Sequence, residues 1–263
     1  MKPRRILAAL LPAVLMGCGA DLQAGASQPQ TLTVFAASSL TDAFTEIEAA
    51  FEAANPGVEV VFSFSGSQML RRQIDAGASA DVFASANMEE MDALVGAGLV
   101  SPDAPRVFLT NQLAVILPAS NPAGLHDLPD LARPGLKLVL AAEDVPIGSY
   151  TRRVLEMMNR PFGADFNRRV LANVVSNEDN VKQVVAKVLL GEADAGIVYS
   201  SDADAAAGLR TIEIPPDLNV IAEYPIAVLA SSTHAALAQR FVEWVLSPAG
   251  QAVLQAWGFG PVG

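Results

Sequence analysis

The apolar positions of this chain fall into short β-prone runs that alternate with runs at helical spacing. Leu32–Ala36 suits a buried strand. After it, Leu40, Phe44, Ile47, Phe51 and Ala54 recur at helical intervals and share one face of a helix, which Asn55-Pro56-Gly57 stops. The pattern next predicts a strand over Val58–Phe64, a helix over Ser67–Ala76 ended by Gly77, a strand over Asp81–Ala84 and a helix over Asn87–Val95. Leu113–Leu117, bounded by Pro118, predicts another strand. The alternation then restarts, with a strand over Lys137–Ala141, helices over Tyr150–Met158 and Glu178–Leu190, and a strand over Ile197–Tyr199. A strand over Tyr224–Leu229 and helices over Ala235–Leu246 and Pro248–Trp257 close the chain. Two α/β blocks in series imply parallel or mixed sheets covered by helices. No short repeat period is present, which argues against a solenoid. Periodicity alone leaves open whether the last helices return to the first block.

The 263 residues are 51% apolar, enough for one or two domains with a sizeable core. The first residues read as an export signal over 1–17. Lys2, Arg4 and Arg5 precede the apolar run Ile6–Met16, which is too short to span a bilayer. Leu15-Met16-Gly17-Cys18 resembles a bacterial lipobox, in which the cysteine is lipidated and becomes the new N-terminus. Cleavage after Ala20, Ala24 or Ala26, with Cys18 incidental, is the alternative. Cys18 is the only cysteine, so no disulfide forms within the chain. Residues 18–30 read as a flexible tether. The expected location is periplasmic or at the cell surface, with membrane contact through a lipid on Cys18.

The balance of 17 Lys+Arg against 28 Asp+Glu gives a net charge of −11, and no basic cluster lies beyond residue 5. Nucleic-acid binding needs a positive footprint and is not expected. An acidic chain can still bind an anion through local backbone N–H groups and hydroxyls.

Four strand-to-helix turns carry such groups. Ala37-Ser38-Ser39-Leu40 and Ser65-Gly66-Ser67 each follow a strand and open a helix. Each serine could cap its own helix or donate to a ligand. Asp144–Tyr150 and Ser176–Val181 open helices in the second block. The latter has the S-x-x-D form of a capping box. Tyr199 ends its strand, either as a core tyrosine or as a hydroxyl donor. Catalytic signatures are missing: there is no G-x-S-x-G, no metal-site spacing, and only His126 and His234 among histidines. Glu89-Glu90 and Asp202/Asp204 read as solvated faces. An enzyme is not expected; a hydrolase is the remote alternative.

Thr33–Leu40, Phe64–Ser67 with Arg72–Ala86, Glu178–Val181, Gly191–Asp202, Glu223–Val228 and Ser247–Phe259 together resemble the periplasmic molybdate-binding proteins of ABC transporters, in order over about residues 31–260. The resemblance implies an α/β, two-lobed type II periplasmic binding protein fold, each lobe a mixed sheet flanked by helices. Lobe one would hold residues 31–112 and 225–263, and lobe two residues 113–224. Crossover strands would lie near 111–118 and 222–230. It implies a molybdate or tungstate oxyanion in the cleft as ligand, with no cofactor. Ser39 and Ser67 would bind it from lobe one, and Ile147, Val181 and Tyr199 from lobe two. The two serines and Tyr199 would give hydroxyls; Ile147 and Val181 would give backbone N–H. No carboxylate stands at the last two positions, so the metal would be held as its oxyanion with no direct protein–metal bond. The implied partners are a membrane permease and ATPase, with the binding protein a monomer. A binding protein for sulfate or another small oxyanion is the alternative.

Overall fold

The computed structural model describes residues 30–262; the expected signal segment, nearly all of the tether, and Cys18 lie outside the described residues. The first half runs β1 (Gln30–Ala37), a 3-10 turn (Ser38–Leu40), α1 (Thr41–Ala54), β2 (Val58–Ser65), α2 (Ser67–Asp75), β3 (Val82–Ala84), α3 (Met88–Gly96) and β4 (Arg106–Asn111). The second runs β5 (Leu113–Pro118), β6 (Leu138–Ala141), α4 (Pro146–Phe162), α5 (Phe166–Leu171), β7 (Val174–Glu178), α6 (Val181–Leu189), β8 (Ala195–Tyr199), α7 (Ser200–Ala205) and β9 (Leu209–Glu213). The chain ends in β10 (Ala222–Val228), α8 (Ala235–Leu246) and α9 (Pro248–Ala256).

The strands form two five-stranded sheets, ordered β2-β1-β3-β10-β4 and β7-β6-β8-β5-β9. The two orders follow one plan. In each sheet three parallel strands lie together, β2-β1-β3 and β7-β6-β8, and an antiparallel strand, β10 or β5, joins them. Parallel strands are covered on both faces, which is why β6, β8 and the end of β1 read as continuous apolar runs and not as alternations. The returning end of the chain packs on the first sheet: β10 lies between β3 and β4, and α8 and α9 pack beside α1. Phe44, Phe51, Phe62, Phe108 and Phe241 meet there at ring-centroid distances of 5.2–6.2 Å.

The chain passes between sheets twice. Gln112 alone separates β4 in the first sheet from β5 in the second. The return runs from β9 to β10 through a 3-10 turn at Pro216–Leu218. Asn219 ties the two crossings together. Its Oδ1 accepts from the Leu113 N–H at 3.1 Å, and its Nδ2 donates to the Leu113 carbonyl at 2.8 Å.

Three sequence expectations are corrected. The helix expected from Glu178 begins at Val181, because residues 174–178 form β7, parallel to β6. Asn180 caps that helix by accepting from the Gln183 N–H, so the expected capping box from Ser176 does not form. Ser176 instead donates to Glu178 Oε1. The helix expected at Tyr150–Met158 spans Pro146–Phe162, with Pro146 in the first turn, where its missing N–H costs nothing. β4, β9, α5 and α7 were not expected. β9 pairs along one side only and alternates weakly between exposed and half-buried positions, so it carries little apolar signal.

Candidate functional site

One small cavity lies between the sheets, and the carboxyl ends of all six parallel strands meet at it. Ser38 and Ser39 follow β1, Gly66 and Ser67 follow β2, and Ala86 follows β3. Pro146 and Ile147 follow β6, Val181 follows β7, and Tyr199 ends β8. Open α/β sheets place ligands at such strand ends. The five residues expected from sequence, Ser39, Ser67, Ile147, Val181 and Tyr199, all line this one cavity. All five are buried, at 6%, 1%, 1%, 2% and 1% exposure.

Helices α2, α4 and α6 begin at the cavity wall, and the first N–H groups of a helix have no partner inside it. Neither α2 nor α4 has a side-chain cap, which leaves those N–H groups and the positive ends of the helix dipoles directed at the cavity. Ser67 does not cap its own helix. Its Oγ accepts from the Ala86 N–H at 3.0 Å, which leaves its hydroxyl proton to be donated. Ser39 Oγ lies 3.0 Å from Tyr224 Oη. Among the described residues, buried Tyr199 Oη has no hydrogen-bond partner, and its ring packs edge-on against Tyr224 at 5.6 Å. Burial holds both phenols well above their usual pKa, so both stay protonated.

The cavity holds about 200 Å³ of space not filled by atoms, part of it open to solvent. That is room for a small ion. None of the lining residues is charged. Arg152, close in sequence to Ile147, points elsewhere and donates to the carbonyls of Ala141 and Gly148 and to Asn177 Oδ1.

The two halves also touch around the cavity. Gln68 Nε2 donates to the Asp179 carbonyl at 3.0 Å, and Arg72 pairs with Asp144 at 2.8 Å on the surface. Gly66 sits against the same Asp179 carbonyl, where an added methyl would overlap it. Lys182, next to Val181, reaches Asp42 of α1 at 2.6 Å and Asp202 of α7 at 3.1 Å. The approach to Asp202 is an ion pair without the alignment of a hydrogen bond. Burial pushes the Asp202 carboxyl up to about 6, against the lowering pull of Lys182. Burial also works to lower the Lys182 ammonium, but Asp202 and Asp42 together hold it above its usual value.

Two readings of surface charge are corrected. Asp202, expected on a solvated face, is 2% exposed. Glu90, likewise expected to be solvated, is buried because Arg71 pairs with it at 2.5 Å. His126 is exposed, and His234 lies 3.5 Å from Asp81, away from the cavity. The sequence reading missed Tyr224 and the Ala86 N–H as supports of the two serines. A tyrosine inside an apolar crossover strand and a backbone amide leave no motif. Among the described residues, no helix is long and apolar enough to cross a membrane.

The bacterial extracellular solute-binding protein model matches residues 32–260. The molybdate-binding protein ModA of Mycobacterium tuberculosis is 40% identical over 97% of this chain and 95% of its own length. Two solved structures share the fold. The periplasmic molybdate-binding protein of Azotobacter vinelandii has a TM-score of 0.77 at 21% identity, covering 88% of this chain and 100% of that one. The sulfate-binding protein SubI of Mycobacterium tuberculosis has a TM-score of 0.80 at 22% identity, covering 89% and 87%. At such identities the structures speak for the fold alone, but the family match extends over nearly all of the described residues, and the chain belongs to the bacterial extracellular solute-binding proteins.

Proposed function

We propose that this protein captures molybdate or tungstate as an intact oxyanion between its lobes and delivers it to the permease and ATPase of an ABC transporter. One observation carries the reading: a small cavity whose wall is almost fully buried, lined by hydroxyls and helix N-termini and by no charged side chain. A dianion entering it loses its hydration shell, and fixed donors replace that shell. The dipoles of α2, α4 and α6 favour the negative charge without a cation in contact. Ser39, Ser67 and Tyr199 would give hydroxyl protons, and the backbone N–H groups at Ile147 and Val181 would complete the shell. The apolar side chains at those last two positions cannot reach the metal, so its coordination stays tetrahedral. The 40% identity to a protein named for molybdate supports this ligand class over sulfate.

In this reading residues 31–112 with 225–263 form one lobe and 113–224 the other, and ligand binding favours their closed arrangement. The protein acts outside the cytoplasm as a monomer, held to a membrane by a lipid on Cys18, and carries out no catalysis.

The test is thermal unfolding with molybdate, tungstate, sulfate and phosphate added separately. A ligand present at 100 times its Kd stabilises by about 2.7 kcal/mol. We expect a large rise in Tm with the first two and little with the others. An equal response to sulfate would overturn the assignment to molybdate or tungstate.

A further inference from the structure

We infer that Tyr224 is a specificity-determining residue that acts through Ser39: its hydroxyl fixes the direction of the Ser39 hydroxyl, so that Ser39 can only donate to the bound anion. The inference rests on the oxyanion reading of the cavity and assigns a role to a side chain that does not line it.

Tyr224 lies on β10, fully buried, with Oη 3.0 Å from Ser39 Oγ. Each of these hydroxyls has one proton. If Ser39 donated to Tyr224, Ser39 would turn a lone pair toward the ligand, which is costly when the ligand is an anion. If Tyr224 donates to Ser39, its own proton is used and the Ser39 proton is free for the anion. The second arrangement satisfies every group, so the order runs Tyr224 to Ser39 to ligand.

The other two hydroxyls can also give their protons to an anion. Ser67 accepts from the Ala86 N–H, which can only donate. Tyr199 has a buried hydroxyl on the cavity wall with no hydrogen-bond partner among the described residues, free to turn its proton to the ligand. Two hydroxyls are therefore directed as donors, and the third is free to join them. A fully deprotonated tetrahedral dianion fits such a set. Hydrogen phosphate, which carries a proton of its own, needs one acceptor and finds no carboxylate or carbonyl side chain lining the cavity to serve as one. Removing the Tyr224 hydroxyl frees Ser39 to rotate and accept, so the pocket loses affinity for the first anion and gains tolerance for the second.

The test is calorimetric titration of the wild type, Tyr224→Phe, Ser39→Ala and the double variant, with molybdate and with phosphate near pH 8. Tyr224→Phe is expected to weaken molybdate about tenfold and to narrow the molybdate-to-phosphate preference. In the Ser39→Ala background the same change is expected to cost less than twofold. The Tm of ligand-free Tyr224→Phe checks that it folds. Unchanged affinity and preference in Tyr224→Phe, or an equal loss in both backgrounds, would overturn the inference. A wild type that ignores molybdate and binds sulfate would instead sink the molybdate reading, and the same cycle run with sulfate still decides the role of Tyr224.

Discussion

Lys182 of α6 and Asp42 of α1 form an ion pair between the two halves, Nζ to Oδ2 at 2.6 Å, one residue beyond Val181 on the cavity wall. The pair joins the two halves as they stand here, so on the proposed reading it would favour their closed arrangement. Both partners are partly exposed, and such pairs contribute about 1 kcal/mol or less. Asp42→Asn is therefore expected to weaken anion binding by up to about fivefold and to leave the Tm of the ligand-free protein unchanged. Lys182→Met also removes the counter-charge of buried Asp202, and should lower that Tm as well. Titration calorimetry beside thermal unfolding separates the two effects; equal behaviour of the two variants would refute the division of roles.

Asp202 gives a pH signature. Its folded pKa, about 6, lies above the usual carboxylate value of 3.8, so between these values the folded state binds more protons than the unfolded state. Its contribution to stability is full below about pH 4 and is lost as pH rises through about 6. We expect the Tm of the wild type, measured relative to Asp202→Asn, to rise as pH falls from 7 to 4. A difference that stays flat over this range would mean that the carboxyl is not perturbed.

How far the sequence carried depends on the kind of signal. Helical spacing at Leu40, Phe44, Ile47 and Phe51 and continuous apolar runs at the parallel strands were legible, because burial on one face or on both dictates residue type. The turns at Ser39 and Ser67 were legible as places for an anion, though the residues alone could not separate a cap from a ligand donor. Ile147 and Val181 came only from family resemblance, since a backbone N–H can belong to any side chain. Asp202 was misread because its burial depends on Lys182 and Asp42, the latter 160 positions away in the chain. No local pattern records such a partnership. Glu178, the last residue of β7, reads as the start of a helix because Ser176 to Asp179 fits a capping box; pairing with β6 overrides it.

Gly66 offers a test of closure. Its φ of −62° suits any residue, so Gly66→Ala should fold normally. In the closed form, however, the new methyl overlaps the Asp179 carbonyl and the Gln68 side chain. The ligand-free Tm is expected to stay within a few degrees of the wild type, while the rise on adding molybdate disappears. A full ligand-induced rise in this variant would mean that the halves need not approach as closely as they do here.

On the proposed reading, Ser39→Ala and Ser67→Ala would each leave an anion oxygen without its donor. Each is expected to cost about 1–3 kcal/mol of binding, roughly ten- to a hundredfold in Kd. Ser67→Ala also strands the Ala86 N–H, which now donates to Ser67 Oγ, so it should lower the ligand-free Tm more than Tyr224→Phe does. Unchanged affinity in both serine variants would place the ligand elsewhere.

The near-complete burial of the cavity wall has a kinetic consequence. With Ser67, Ile147 and Tyr199 each only 1% exposed, an ion bound there as proposed would find little opening while the halves stay together. Its residence time would then be governed by how often the molecule swings apart. Whatever receives the cargo gains nothing by competing for it at the doorway. It must unlatch the container.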